Sequence, residues 1–241
     1  MTVSSTVPAA FARSRAHVYD LLAAAFDGQA DVLVLAIEDG AFAELADVLP
    51  MEPALGSLDG TAPDAESLEI GYDNLFAVPG PHYVPPVASS HAGGSAGDLD
   101  SDSAYRAADG GTFFGDPARR MAERYEQVGF EPGVGDGLPD HVAAELAFLS
   151  ALASAIADRH EGGDGGSEEL ATLETLERET LAEMEWLDSF ASAVADQDRG
   201  DGVYADLARF AASFVRWDAD GRVEDGGEPV ARAQGTRSGS T

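Results

Sequence analysis

The sequence predicts an all-α protein, folded as a single bundle of about eight helices with a proline-rich arm and long loops. Apolar residues recur at helical spacing along most of the chain, and no segment alternates apolar and polar residues as a strand does. Hydrophobic residues make up 44% of the 241 residues, which is enough for one substantial core. We therefore expect one helical domain over residues 8–218. Residues 219–241 lack apolar side chains to bury, so a disordered tail is predicted there.

The first half of the chain carries three helical stretches. Residues 8–27 predict one helix, and residues 30–49 predict one or two short helices, divided near Gly40 and closed by Pro50. A third stretch follows a connection rich in Gly, Pro and Asp. Its apolar stripe falls at positions i, i+4, i+7 and i+8, namely Leu68, Tyr72, Leu75 and Phe76.

The stripe runs directly into a segment of different character, VPGPHYVPPVASSH. Four prolines stand close together there, at Pro79, Pro81, Pro85 and Pro86. Proline fixes φ and pushes the preceding residue towards extended conformations, so the segment is predicted to be a stiff, non-helical arm. Residues 92–112 after it are rich in Gly and Ser and predict a mobile loop.

The second half predicts four further helices. Asp116 is expected to cap the first, with Pro117 at its first position and Gly129 at its end. Pro139 is expected to begin the next helix, which glycines end at residues 162–166. The final two are predicted as a long helix over residues 167–197 and a last one over about residues 201–218.

Charge and composition exclude several classes of protein. Forty-four acidic residues against fourteen basic ones, all Arg, give a net charge of −30, so non-specific nucleic-acid binding is excluded by repulsion from phosphates. The spread of the acids favours adaptation to a very salty cytosol over an acidic patch for a basic partner. The absence of cysteine excludes disulfides and thiolate chemistry. No apolar run reaches the roughly 20 residues of a membrane span, and no secretory signal opens the chain, so a cytoplasmic location is predicted.

The best candidate for chemistry is Asp140-His141 with Glu145. His141 and Glu145 are one helical turn apart, so their side chains are expected to meet, as half of a metal site or as a general base with its orienting carboxylate. A structural role is the alternative, with Asp140 favouring the helix N-terminus and Glu145 pairing with His141. The remaining histidines show no ligand spacing: His17, His82, His91 and His160.

Three stretches together carry a resemblance to a known family. They are Tyr72-x-x-Leu75-Phe76 followed by Pro79-Gly80 and Pro86-x-x-Ser89; Tyr125-x-x-x-Gly129-Phe130 followed by Pro139-Asp140-His141-x-x-x-Glu145-Leu146-x-Phe148; and Trp186-x-x-x-Phe190 followed by Tyr204-x-x-Leu207. In this order they resemble the TorD/DmsD family of cytoplasmic chaperones that mature molybdenum-containing redox enzymes. The related delta-type assembly subunits of nitrate reductases are a second possibility. The arm departs from the family pattern Pro-Tyr-Glu-Ser, because it has Val87 and Ala88 at the middle positions.

The resemblance implies a binding function without catalysis or a cofactor of its own. The expected partner is the catalytic subunit of a molybdopterin oxidoreductase, whose twin-arginine leader the chaperone binds before export. Arginine forks need carboxylates, and a helical apolar segment needs a groove. The predicted leader-binding residues are Tyr72, Leu75, Phe76, Pro79, Tyr83, Pro86, Ser89, Asp140, His141, Glu145 and Phe148. A monomer or a domain-swapped homodimer is expected. The hypothesis from another class is a metal-dependent enzyme centred on His141 and Glu145.

Overall fold

The computed structural model describes residues 6–48, 55–91, 115–162, 167–200 and 202–225, and these residues are mostly helical with no β-strand among them. The prediction of an all-α bundle is confirmed. The predicted mobile loop at residues 92–112 and the last part of the predicted tail, residues 226–241, lie outside the described residues. The α-helices are α1 Thr6–Phe26, α2 Ala30–Glu38, α3 Ala41–Val48, α4 Ala65–Tyr72, α5 Asp116–Val128, α6 Val142–Gly162, α7 Ser167–Glu183, α8 Leu187–Gln197 and α9 Val203–Asp225.

The centre of the bundle is formed by long helices packed against one another. Helix α1 packs along α6, α6 packs against α7, and α8 packs against α9. Aromatic rings fill the main core, and Phe26 of α1 meets Phe190 of α8 edge to face at 5.7 Å. A smaller second core surrounds Phe148, which stands 4.8 Å from the ring of Tyr125. Among the described helices, none combines the length and the apolar character that crossing a bilayer requires.

A buried ionic cluster ties three helices together inside the bundle. Arg15 of α1 donates to Glu177 of α7 at 2.7 Å and to Asp218 of α9 at 2.8 Å. The hydroxyl of Tyr19 donates to the same Asp218 oxygen at 2.6 Å. All four side chains are buried, so the carboxylates are held by a cation and a hydroxyl where water does not reach them.

The helix over residues 167–197 is interrupted, contrary to the prediction of one long helix. Helix α7 ends at Glu183, a 3-10 turn occupies Met184–Trp186, and α8 begins at Leu187. No glycine or proline marks the break. Its physical reason is tertiary, because the turn directs the buried Trp186 indole onto Glu145 of α6 at 3.1 Å. The last helix also differs, since α9 continues beyond the predicted end to Asp225.

Helix α5 starts one residue earlier than predicted, and helix α6 starts later than predicted. Gly115, not Asp116, is the N-cap of α5, and Asp116 is its first helical residue; Gly129 ends the helix as predicted, with a φ of 65°. Helix α6 begins at Val142 rather than at Pro139. Residues before it form a turn instead, because the His141 N–H donates to the Leu138 carbonyl at 3.2 Å. Asp140 therefore precedes the helix and does not lie in its first turn.

The proline-rich arm, residues 79–91, is non-helical as predicted apart from a final 3-10 turn at Ala88–Ser90. Helix α4 leads into it through a π-helical turn, Asp73–Ala77. The arm then runs beside the start of α6, where the Ala88 N–H donates to the Asp140 carbonyl and the Val142 N–H donates to the Pro86 carbonyl, each at 2.9 Å. These backbone bonds make Val87 and His141 an isolated antiparallel bridge, which fixes the arm against α6.

Candidate functional site

Asp140 holds the arm in place from within the protein. Its side chain is buried, and its Oδ2 accepts hydrogen bonds from the Ser89 backbone N–H at 2.9 Å and from the Ser89 hydroxyl. A carboxylate that accepts two hydrogen bonds from one residue of the arm fixes the arm at that residue. The structure therefore brings two predicted site residues together, and Asp140 directs its charge at Ser89 rather than at the helix N-terminus.

His141 is the first residue before α6 and caps its backbone. Its Nδ1 accepts a hydrogen bond from the Ala143 N–H at 3.1 Å, so Nδ1 is the unprotonated nitrogen of the ring. Burial lowers the pKa of His141 to about 4, against smaller opposing effects of Asp136, Asp27 and Asp140. The ring is consequently neutral at neutral pH.

Glu145 does not pair with His141, contrary to the expectation from their spacing. Its Oε2 accepts from the Trp186 indole N–H at 3.1 Å, and among the described residues no hydrogen bond joins the Glu145 carboxyl to the His141 ring; the Glu145 backbone N–H donates to the His141 carbonyl at 3.0 Å. Burial is the main cause that raises the pKa of Glu145 well above its ordinary value. Within the described residues, no group of three or more His, Asp or Glu side chains is arranged to hold a metal ion. The pair required by the metal hypothesis is therefore not formed.

Most of the apolar residues predicted for a groove are in the interior. Leu75 and Phe76 belong to the main core, where Phe76 contacts the rings of Phe26, Phe190 and Tyr204. Phe148 is buried in the second core, and Pro86 is a buried residue of the arm itself. These side chains shape the molecule beneath the surface and are not available to a ligand in this arrangement.

A surface of half-buried tyrosines and carboxylates lies where the arm leaves α4. We call it the tyrosine face and define it by Tyr72, Tyr83, Asp27, Asp73 and Asp136. The hydroxyl of Tyr72 donates to the Phe26 carbonyl at 3.2 Å, which holds the ring against the end of α1. Burial and then the charges of Asp27, Asp136 and Asp73 raise the pKa of Tyr72 to about 12. Burial and the nearby Asp136 likewise raise the pKa of Tyr83.

None of the three carboxylates of the tyrosine face was found by sequence reasoning. Asp27 follows α1, and its Oδ1 accepts the Gly135 N–H at 2.9 Å, which brings the turn containing Asp136 beside the tyrosines. Asp136 is the one non-glycine residue with positive φ, at 52°, among the described residues. Its position between two glycines in the sequence GDG is a signal for a tight turn, but nothing in the sequence connects that turn to α1. Pro79, by contrast, is exposed at the start of the arm.

A cleft of about 630 Å³ opens on another part of the surface, between the arm, α5, α7 and the turn at Trp186. We call it the Trp186 cleft. His91 of the arm stacks on Trp186 with ring centroids 5.4 Å apart. Arg120 and Arg124 of α5 line it and both bind Glu183 of α7, at 2.7 and 3.1 Å. Sequence reasoning did not identify this cleft, because its walls come from four separate segments.

The family is decided by a comparison with models of known protein families. The model of the nitrate reductase delta subunit family matches residues 38–192. The chain belongs to this family. The matched range includes the arm, the start of α6 and the Trp186 turn, and the resemblance to TorD/DmsD-type chaperones is confirmed at the level of the family. No curated protein and no solved structure matches the chain.

Membership in the nitrate reductase delta subunit family indicates an assembly chaperone of a molybdoenzyme. The arm of this delta-family chain departs from the expected Pro-Tyr-Glu-Ser at Val87 and Ala88, and both of these side chains are buried. The arm is bonded to α6 here through backbone groups of Pro86 and Ala88.

Proposed function

We propose that this protein is a cytoplasmic maturation chaperone that binds the twin-arginine leader of a molybdopterin oxidoreductase catalytic subunit. It holds the subunit until its cofactor is inserted and then releases it for export. In this function the protein binds its partner and catalyses no reaction. The observation that carries the proposal is the tyrosine face, together with membership in the nitrate reductase delta subunit family.

The tyrosine face has the chemistry that two arginine side chains require. Asp73 and Asp136 are exposed and Asp27 is half-buried, so carboxylates are accessible for the planar forks of guanidinium groups. Tyr72 and Tyr83 add ring surface on which a guanidinium can stack. The buried Asp140–Ser89 anchor supports the arm that carries Tyr83, so the face is organised before a ligand arrives.

Exposed apolar side chains on α4 and before the arm are candidates for contact with the apolar leader segment. Few large apolar side chains are exposed among the described residues, and two of them are Ile70 of α4 and Val78 before the arm. Pro79 follows directly and is exposed as well. An amphipathic segment that continues from the arginine pair along α4 and the arm therefore buries apolar surface, which is the usual mode of helix recognition.

The test is calorimetric titration of the full chain with a synthetic peptide in which an arginine pair precedes an apolar segment. The matched peptide has a lysine pair, because lysine keeps the charge and loses the bidentate fork. In a buffer of high salt, we expect the arginine peptide to bind more tightly than the lysine peptide. Asp136→Asn and Tyr83→Ala should each weaken binding of the arginine peptide about tenfold, as loss of one charge-assisted contact does. Asp20→Asn on the exposed side of α1 is the control. Equal affinity for both peptides, unchanged by Asp136→Asn, contradicts the proposal.

A second candidate is a delta-type subunit that stays with its enzyme after assembly, which the name of the matched family favours. Both functions involve binding to the catalytic subunit, but they differ in whether the protein stays bound to the mature enzyme. Size-exclusion chromatography of co-expressed proteins separates them, since a delta-type subunit elutes with the mature enzyme in a fixed ratio and a chaperone elutes alone.

A further inference from the structure

The Trp186 cleft contains a buried carboxyl group whose hydrogen bonding is incomplete. Glu145 lines the cleft although only 1% of its surface is exposed. Its Oε2 accepts from the Trp186 indole at 3.1 Å, while its Oε1 has no hydrogen-bond partner among the described residues. This oxygen is not among the side-chain atoms that are closed to solvent, so a donor group of a ligand in the cleft can reach it and complete its hydrogen bonding.

His91 adds a second acceptor on the same cleft. Its Nε2 lies 2.9 Å from the Pro85 carbonyl oxygen, and because that oxygen only accepts, Nε2 carries the proton. Burial lowers the pKa of His91, so the ring is neutral and its Nδ1 has a lone pair. Within the described part of the chain no donor binds this Nδ1. Glu145 and His91 both contact Trp186, which places the two acceptors next to one indole.

The charge of the cleft selects a cation. Four further acidic side chains line it against two arginines: Glu179, Glu183, Glu185 and Asp188 against Arg120 and Arg124. Both arginines already bind Glu183. Even when Arg216, which pairs with Asp188, is included, the acids outnumber the bases, and the protein as a whole carries −30. An anion is repelled from such a cleft and a cation is attracted.

We propose that the Trp186 cleft is a second binding site, which takes the guanidinium group of an arginine side chain of a partner protein between Glu145 and His91. A guanidinium is planar and presents several N–H donors, so it bonds two neighbouring acceptors at once, which a compact ammonium does less well. The volume of about 630 Å³ lies within the range of ordinary ligand sites and accommodates a side chain with part of its backbone. This site is composed of different residues from the tyrosine face and does not depend on the leader-binding proposal.

Binding is expected to release a proton from Glu145. Burial is the largest cause that raises the pKa of this carboxyl; the Trp186 hydrogen bond lowers it, the charges of Asp140 and Glu183 raise it further, and Arg124 lowers it. Tyr125, Arg120, Glu179 and His91 are the other titratable groups near it on the surrounding segments. A guanidinium at Oε1 favours the ionised form, so calorimetry in two buffers of different ionisation enthalpy should detect proton release.

The test uses n-butylguanidine as the probe and n-butylurea as its neutral match. The chain has two tryptophans, so in a Trp217→Phe background the fluorescence reports on Trp186 alone. We expect a saturable change with n-butylguanidine at fixed high ionic strength and no such change with n-butylurea. The absence of saturation, or an equal response to both probes, overturns the proposal.

Two variants assign the effect to the cleft. Glu145→Gln keeps an acceptor for Trp186 but removes the ionisable oxygen, and it should weaken n-butylguanidine binding at least about tenfold, whereas Glu66→Gln on exposed α4 should not change it. Arg120→Ala frees Glu183 from one of its two cations, so it should strengthen binding several-fold. This second variant alters a partly exposed residue and remains decisive if Glu145→Gln does not fold. Unchanged affinity in Glu145→Gln, or unchanged or weaker binding in Arg120→Ala, overturns the proposal.

Discussion

Ser89 and Asp140 are joined by two hydrogen bonds to a single carboxylate oxygen, and this contact connects the proline-rich arm to the start of α6. The Ala88 N–H adds a bond to the Asp140 carbonyl at 2.9 Å, so the backbone and the side chain of Asp140 act on neighbouring residues of the arm. Asp140 is buried, so its carboxylate fixes the arm from inside the protein. Asp140 therefore affects the position of Tyr83 indirectly, by holding the arm that carries Tyr83.

Replacing Asp140 by Ala should destabilise the protein by about 3 kcal/mol, because the Ser89 N–H and hydroxyl lose a charged acceptor in a buried place. Ser89→Ala alone removes only the hydroxyl and should cost about 1 kcal/mol. Denaturant unfolding followed by circular dichroism measures both, and Asp20→Ala on the surface of α1 is the control. In the double variant the two effects should couple by about 1 kcal/mol. A loss of less than about 0.5 kcal/mol of unfolding free energy in Asp140→Ala would contradict the role of Asp140 in fixing the arm.

His141 should make the folded state less stable in acid. Burial lowers its pKa from the ordinary 6.5 to about 4, so the unfolded chain binds a proton in this range while the folded chain does not. Stability therefore rises with pH between 4 and 6.5, is lost as pH falls through that window, and changes no further below pH 4. The full difference corresponds to about 3 kcal/mol.

The His141 effect is measured as a difference between the wild type and His141→Asn, because other groups also titrate. Glu145 has a raised pKa, so its own contribution to stability has the opposite sign and is lost as pH rises above its ordinary value of 4.5. Asparagine retains an oxygen that can accept the Ala143 N–H. We expect the wild type to lose stability relative to the variant from pH 6.5 downward. Parallel pH profiles of the two proteins would contradict the burial of His141.

The sequence was sufficient for the helices whose signals are local. Apolar spacing predicted α1, α2 and α3, and Gly129 marked the end of α5. The break between α7 and α8 has no local signal, because it depends on Trp186 reaching Glu145, 41 positions earlier in the chain. Tertiary contacts also explain the wrong expectation for His141 and Glu145, because the His141 ring binds the Ala143 N–H at the start of α6, while Glu145 binds Trp186 on another segment.

The candidate surfaces were harder to predict than the fold. Tyr72 and Tyr83 were found, since they lie in an unusual segment, but two of the three carboxylates beside them, Asp27 and Asp136, come from the end of α1 and from a distant turn. The Trp186 cleft is assembled from four segments, and none of its parts has a sequence motif. Predicted groove residues such as Phe76 proved to be core, because a periodic apolar stripe does not tell a groove from an interior.

Arg15 and Arg13 provide a matched test of buried against exposed charge on one helix. Arg15 binds Glu177 and Asp218 inside the protein, while Arg13 binds Asp158 and Glu161 at the surface. Arg15→Met leaves two buried carboxylates without their cation and should cost about 3–5 kcal/mol. Arg13→Met should cost much less than Arg15→Met, and less again at high salt, because solvent and salt screen its ion pairs. Thermal unfolding at two salt concentrations checks both, and equal losses would contradict the burial of the cluster.

Gly135 and Gly137 test how closely the turn of Asp136 fits His141. Both glycines have positive φ, 75° and 74°, so alanine is strained at either position by about 1–2 kcal/mol. They differ in their surroundings, because a Cβ on Gly135 would lie 2.9 Å from the His141 Cβ, whereas one on Gly137 would meet nothing within 4 Å. Gly135→Ala should therefore be less stable than Gly137→Ala by at least about 1 kcal/mol, the cost of overpacking a filled site. It should also raise the pKa of His141 in an NMR titration, since displacing the turn admits water to the ring. Equal stabilities of the two variants would mean that this turn does not pack on His141.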